Sequence, residues 1–280
     1  MNTAKACEES AIINIGGDCG RHRWQAEDID FTRIDLPTIR DDGDMFLVLA
    51  ASSFLEITAP LYARNLAEFN RGRGDIADWL LDVWMPEEIE HGRAMKAYVQ
   101  NAWPEFNWVG AYGSFSREFH RYCGRERYQQ SPALEMLARC VTETGAATSY
   151  KALRDASREP VLRTLLDQMQ RDEVRHYKYF LRYFHEYNEE EKNSHAKLVK
   201  VVAKRTLRVY DEDMLIAFKH AQSGSVTPRG YLLTVRQLRR VALPHYPVEQ
   251  AVKMIAKPLG LSGSAREIPI RLLRSVSTLM

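Results

Sequence analysis

Two stretches of the chain pair a glutamate with a histidine three residues later: Glu88 with His91, and Glu173 with His176. Residues three apart share one face of a helix, so each pair can turn a carboxylate oxygen and an imidazole nitrogen toward a single ion. One such pair says little, because short motifs recur without meaning. Two further glutamates add the informative spacing: Glu56 lies 32 residues before Glu88, and Glu143 lies 30 before Glu173. A helix rises about 1.5 Å per residue, so a helix and its returning neighbour regain the same height after roughly 30 residues when the turn is short. Each half of the chain therefore sets one Glu opposite one Glu-x-x-His at matching depth.

The order Glu, Glu-x-x-His, Glu, Glu-x-x-His is that of carboxylate-bridged two-metal sites in helical bundles. Oxygen and nitrogen ligands suit iron or manganese, and without paired cysteines sulfur-loving metals are disfavoured. The reading is a pair of iron ions, or iron with manganese, held by Glu56, Glu88, His91, Glu143, Glu173 and His176. The alternative, a solvated charged face, fits the flanks poorly. At helical spacing from Glu88 stand Trp84 and Met95, and from Glu173 stand Met169 and Phe180. Glu143 has Met136, Cys140, Ala147 and Tyr150 in that relation, interrupted by Arg139. Carboxylates on an apolar stripe are costly to bury unpaired, and a metal removes that cost. Glu68, Glu87 and Glu90 fall off these faces and read as surface acids. Pro60 removes the helical bond to the carbonyl of Glu56, and Pro86 does the same to Asp82, so either could bend a helix beside the site.

The elements that must carry these residues are four long helices, expected at 44–70, 75–101, 132–157 and 160–188. Asp44 and Asp75 are the candidate N-caps of the first two, and Ser131-Pro132 and Glu159-Pro160 start the others. The loop 71–74 (RGRG) turns the first pair, and the 52 residues from His91 to Glu143 leave room for a long crossover containing a short helix near 114–123. Residues 1–43 lack sustained periodicity and read as an irregular N-terminal segment. The bundle occupies 44–190, and 191–280 form a C-terminal extension with helices at 195–222, 228–241, 247–257 and a shorter one after 265. No stretch alternates as a strand does, so the fold class is all-α: a four-helix bundle with a long crossover, plus additional C-terminal helices.

Composition sets the outer bounds. Cys7, Cys19, Cys123 and Cys140 are scattered without a C-x-x-C pair, so free thiols are expected and not a disulfide framework. The longest apolar stretch, 45–55, is too short to span a bilayer, and the N-terminus does not resemble a signal peptide, which makes a cytoplasmic location the expectation. The net charge of +2 is uneven: residues 195–280 hold 15 Lys/Arg against 5 Asp/Glu, a net of +10, so 1–194 carry −8. A basic third of that kind could dock an acidic protein, touch anionic lipid, or simply be a solvated face. No recognisable nucleic-acid module accompanies it, so nucleic acid is not an expected partner.

Three segments resemble the soluble acyl-carrier-protein desaturases of the ferritin-like superfamily: ITAPLY after Glu56, W-x-x-E-E-x-x-H-G at 84–92, and D-E-x-R-H at 172–176. The resemblance spans about residues 44–190. It implies a ferritin-like bundle and O2 activation at a di-iron centre reduced by a ferredoxin-type donor. Hydrogen is then taken from an unactivated carbon of an acyl chain borne on acyl carrier protein. By position it makes Glu88 and Glu173 the bridging carboxylates. Glu143 and Asp172 become the candidates for a catalytic role, Asp172 by hydrogen-bonding a ligand histidine. The other reading of Asp172 is a surface acid paired with Arg175 or Lys178.

One departure matters. The family places a threonine one turn after the third ligand glutamate, where this chain has Ala146 and Ala147 behind Gly145. Thr144 and Thr148 lie on other faces. The missing hydroxyl leaves open a di-iron oxygenase that hydroxylates or N-oxidises a small molecule. A non-enzymatic ferritin-like iron-binding protein, and a homodimer, also stay open.

Overall fold

The computed structural model describes residues 23–124, 127–208, 213–222 and 242–261. Among them there is no strand. The long helices are α1 (Gly43–Ile57), α2 (Pro60–Phe69), α3 (Met85–Ala102), α4 (Trp108–Phe119), α5 (Pro132–Ala156) and α6 (Pro160–Glu191). The C-terminal part adds α7 (His195–Arg208), α8 (Asp213–Ala221) and α9 (Val248–Ala256). Two hairpins dominate the packing, α1 against α3 and α5 against α6, and α3 against α6 joins them. Helices α7 and α9 lie on α5, while α8 fits between α1 and α4.

The first expected helix is two. It ends at Ile57 and restarts at Pro60 with a bend of 44°. The carbonyl of Glu56 that Pro60 cannot satisfy accepts from the Ala59 amide instead (3.0 Å). The cap is Asp42 and not Asp44, its carboxylate accepting from the Met45 amide at 2.9 Å. Here the capping acid sits one step before Gly43, where its backbone is free to leave the helical region.

The second expected helix is interrupted as well. A turn at Ile76–Trp79 passes into a π-helical segment, Leu80–Trp84, before α3 begins at Met85-Pro86. Pro86 leaves the Asp82 carbonyl without its helical donor, and Arg23 Nη1 takes it at 3.3 Å. Asp75 precedes this stretch as expected, but its side chain caps nothing and accepts from the Tyr183 hydroxyl. Gly72 and Gly74, at φ of +77° and +67°, make the turn between α2 and this stretch.

Helices α5 and α6 start at Pro132 and Pro160 as the sequence predicts, and the crossover helix falls at Trp108–Phe119 with a 3-10 turn at His120–Tyr122. Glu159, fully buried, caps α6 by accepting from the amides of Val161 (3.1 Å) and Leu162 (2.6 Å). The same carboxylate accepts from the Asp35 amide (3.1 Å) and the Tyr98 hydroxyl (2.8 Å), tying three separate segments together. The expected helix over 195–222 is the two elements α7 and α8, and those near 228–241 and after 265 lie outside the described residues. The described part of the N-terminal segment holds short helical turns and packs Ile29, Ile34 and Ile39 into the core.

The buried apolar residues form two clusters. Glu88 has Met95 in one and Trp84 in the other, and Glu173 has Met169 in the first and Phe180 in the second. A layer of buried carboxylates and imidazoles therefore separates two oily halves. Among the described residues no single helix is long and apolar enough to cross a membrane, and only the bent pair α1–α2 reaches that length and composition together.

Candidate metal centre

All six residues expected as ligands come together, and all six are buried. Glu56, Glu88, His91 and Glu173 offer ligand atoms within 4.8 Å of one another, and so do Glu88, Glu143, Glu173 and His176. Glu88 and Glu173 belong to both groups, which is where carboxylates that bridge two ions must stand. The two imidazole rings lie 6.0 Å apart.

The inward-facing atoms are oriented toward shared points and not toward each other. His91 Nδ1 is 3.1 Å from Glu173 Oε1, and His176 Nδ1 is 3.0 Å from Glu88 Oε1, yet none of these four buried atoms makes a hydrogen bond. Buried polar atoms without partners are expensive, so their convergence fits a cation better than an apolar core. Four carboxylates also balance two divalent charges. The donor set, oxygen with two imidazole nitrogens, fits iron or manganese.

The outer nitrogens are held crosswise. His91 Nε2 is 3.1 Å from Asp172 Oδ2, on the helix of the other motif, and His176 Nε2 is 2.8 Å from Glu87 Oε2, again on the opposite helix. A carboxylate only accepts, so it selects the tautomer with the proton on Nε2 and leaves the Nδ1 lone pair facing the cluster. Asp172 stands where it can orient a ligand histidine; it pairs with Arg175 (2.8 Å) as the other reading expected, but it is buried and no surface acid. Glu87 is a correction: it is buried against His176, Arg175 (3.0 Å) and Arg23 (3.1 Å), and is no surface acid. Its position off the ligand face puts it at the seam where α3 meets α6, which a single-helix projection does not show. The signal was present as an acid directly before each ligand glutamate, Glu87 before Glu88 and Asp172 before Glu173. Glu90 and Glu68 are partly exposed, with Glu90 accepting from the Ala26 amide at 2.6 Å.

Trp24 and the contact of Tyr150 had no signature in the sequence, and Gly92 stood there only as the end of the 84–92 motif. Trp24 stacks on His91 (5.7 Å between centroids) and donates from Nε1 to Asp172 Oδ2 at 2.8 Å. Tyr150, expected only as part of an apolar stripe, donates its hydroxyl to Glu56. Gly92 allows the close crossing of α1 and α3: a Cβ there would sit 2.5 Å from the Ile57 amide nitrogen.

Electrostatics follow from burial and crowding. Burial and the charges of Glu88 and Glu173 push the Glu56 carboxyl well up, and burial with the Glu173 charge also raises Glu88. Burial pushes Glu143 up to about 8 even though the His176 imidazole beside it works the other way. Burial acts the same way on Glu173, but the two imidazoles that face it, His176 and His91, overcome it and hold its carboxyl low. Both histidines are pushed up against their own burial, His91 by Asp172 and Glu173, His176 by Glu143, Glu173, Glu87 and Glu88. Protons thus occupy the ligand set at neutral pH in the absence of metal, and binding a cation must displace them.

A cavity of about 370 Å³ reaches this centre. All four ligand glutamates line it and neither histidine does, so the centre is open on its carboxylate side and closed on its imidazole side. Gly145 and Ala146 line the same cavity, where the desaturase pattern has a hydroxyl. The hydroxyls of Thr144 and Thr148 are turned to the carbonyls of Cys140 (2.7 Å) and Thr144 (2.6 Å) and do not replace it. Thr142 and Ser149 line the cavity instead.

The sequence matches no family model, and no curated protein matches it.

Proposed function

We propose that this chain is an O2-dependent di-iron oxidoreductase built on a ferritin-like bundle, acting on an organic substrate held in the cavity beside Glu143. One observation carries the reading: two buried ligand groups share Glu88 and Glu173 and face a cavity on their carboxylate side only. A site meant only to hold ions gains nothing from a cavity of that size against the ligands.

Glu56, His91, Glu88 and Glu173 would hold one ion, and Glu143, His176, Glu88 and Glu173 the other. Bound there, such a pair supplies O2 reduction and the oxidising power needed at an unactivated C–H bond. The protein's own groups do the rest. Asp172 and Glu87 fix the histidines, so that the imidazole side stays rigid and dry. Tyr150 holds Glu56 by its hydroxyl, and Trp84 and Tyr62 wall the cavity next to the carboxylates. Glu143, whose carboxyl burial pushes up to about 8, can keep or release a proton at the edge of the cavity as the charge beside it changes.

Dehydrogenation of an acyl chain, with acyl carrier protein and a ferredoxin-type donor as partners, is the first form of this function, and it rests on the sequence resemblance. Gly145 and Ala146 support the second form, hydroxylation or N-oxygenation of a small molecule, because they leave room and place no hydroxyl one turn after Glu143. Iron loading followed by reduction, exposure to O2 and mass analysis of products tests both. Loss of two mass units marks dehydrogenation and a gain of sixteen marks oxygenation. A chain that binds fewer than two metal equivalents, or that loads metal equally well as His176→Ala, refutes the centre itself. A large hollow assembly in solution that turns over no substrate would point to iron storage instead.

A further inference from the structure

The cavity has a charged end that the metal centre does not use. On α5, Glu135, Ala138, Arg139, Thr142, Gly145, Ala146 and Ser149 form one stripe along the cavity wall. Arg139 stands four residues before Glu143, an axial rise of about 6 Å. Its guanidinium pairs with Glu135 (2.8 Å) and lies near the faces of Tyr62 (5.9 Å) and Tyr128 (5.8 Å). Arg127 lines the same end with Asp213 at 3.9 Å. A third cation, Arg205 of α7, reaches in from the side and donates from Nε to Thr142 Oγ1 at 3.0 Å. Among the described residues no carboxylate lies within ion-pair distance of Arg205.

Arg205 is held with its single Nε on a neutral hydroxyl, which leaves the two terminal nitrogens of its fork to another partner. A guanidinium in that posture matches a planar, two-oxygen anion. Burial and the neighbouring Arg139 charge also weaken its hold on its own proton, as expected of a cation short of counter-charge.

We propose that the cavity binds a substrate carrying a free carboxylate, gripped by Arg205 beside Arg139, with its aliphatic body running past Glu143 along Gly145 and Ala146. This rests on the reading of the cavity as the substrate site of the metal centre. It separates that reading from a carrier-borne chain, whose carboxyl is tied up as a thioester and offers no charge to Arg205. The position to be oxidised is then only a few carbons from the acid, because little more than one helical turn separates Arg139 from Glu143.

Binding decides the matter without turnover. Octanoate, octyl phosphate and uncharged octanamide are titrated calorimetrically into the metal-free full-length chain, so that a failure to load metal leaves the readout intact. Octanoate binding at least tenfold tighter than octanamide is expected, with Arg205→Gln removing that advantage and leaving octanamide unchanged, and Arg205→Lys retaining part of it. Octyl phosphate binding tighter than octanoate would assign the same grip to a phosphate and overturn the carboxylate. Equal binding of octanoate and octanamide by the wild-type chain overturns the proposal without any variant. So does an Arg205→Gln chain, folded by circular dichroism, that weakens acid and amide alike.

Discussion

Replacing Glu143 by glutamine should make the metal-free chain more stable and the metal-loaded chain less so. In the absence of metal this carboxyl is pushed from an ordinary 4.5 up to about 8 by its burial beside other carboxylates. Between those two values the folded chain holds a proton that the unfolded chain has released, so stability falls as the pH rises through that interval and levels off above it. At 1.36 kcal/mol per pH unit, the accumulated cost at pH 7 is about 3 kcal/mol. Glutamine keeps the shape and removes the ionisation. In EDTA at pH 7 the Glu143→Gln chain should therefore melt roughly 6 to 10 °C above wild type, with the gap closing toward pH 5. Adding Mn(II), or Fe(II) without air, should reverse the order, because only wild type offers the full carboxylate set and gains stability from the ion by mass action. Metal affinity should rise with pH up to about 8, since the ligands must shed protons to bind. Thermal melts of both chains at pH 5 and pH 7, each with and without metal, give every number required. A variant that melts below wild type in EDTA, or metal that raises both chains equally, would refute the claim that this cluster is strained until a cation enters.

Four other substitutions probe the scaffold around the centre. Asp172→Asn or Glu87→Gln leaves all six ligands in place but loosens one histidine, and each should weaken metal binding by about 10- to 100-fold and also lower the melting of the metal-free chain, because each takes a buried charge from Arg175 and a histidine; competition with a fluorescent chelator measures the binding. Gly92→Ala drives a methyl against the Ile57 backbone, so α1 and α3 must part. A loss of at least about 2 kcal/mol in urea unfolding, together with weaker metal binding through Glu56, is expected. Glu159→Ala strips a buried cap of its four donors and should cost about 2 to 4 kcal/mol by the same unfolding assay, while metal content in the surviving folded chain stays at wild-type level.

Much of this centre can be read from the sequence because helices repeat regularly. Glu88/His91 and Glu173/His176 lie on a fixed face, and the separations of 32 and 30 set Glu56 and Glu143 at the right depth. What escaped depends on how helices meet. Glu87 looks exposed on its own helix and is buried only because α6 packs over it. Trp24 comes from a segment without periodicity, 148 residues before its partner Asp172, and nothing local announces that contact. Arg205 reaches the cavity from a helix that reads as a basic solvated face. Lys197, Lys200 and Lys204 do face solvent, but Arg205 is turned toward Thr142. The helix ends missed by a few residues, at Asp42 and Trp108, reflect caps chosen by side-chain geometry and not by residue type alone.

The π-helical turn at Leu80–Trp84 has a consequence for how this chain can change over generations. Such a turn holds one residue more than an α-helical turn, and it survives where the displaced side chains are worth more than regular hydrogen bonding. Here it sets Trp79 flat on Tyr179 (4.7 Å) while Trp84 meets His176 edge-on (6.5 Å), with Glu88 one turn further on. Losing a single codon from this stretch would heal the helix and swing everything upstream by about 100° relative to Glu88 and His91. Residues can be gained or lost in the loop at 71–74 at small cost, whereas a change of length in this five-residue segment re-aims Trp79 and Trp84 against His176.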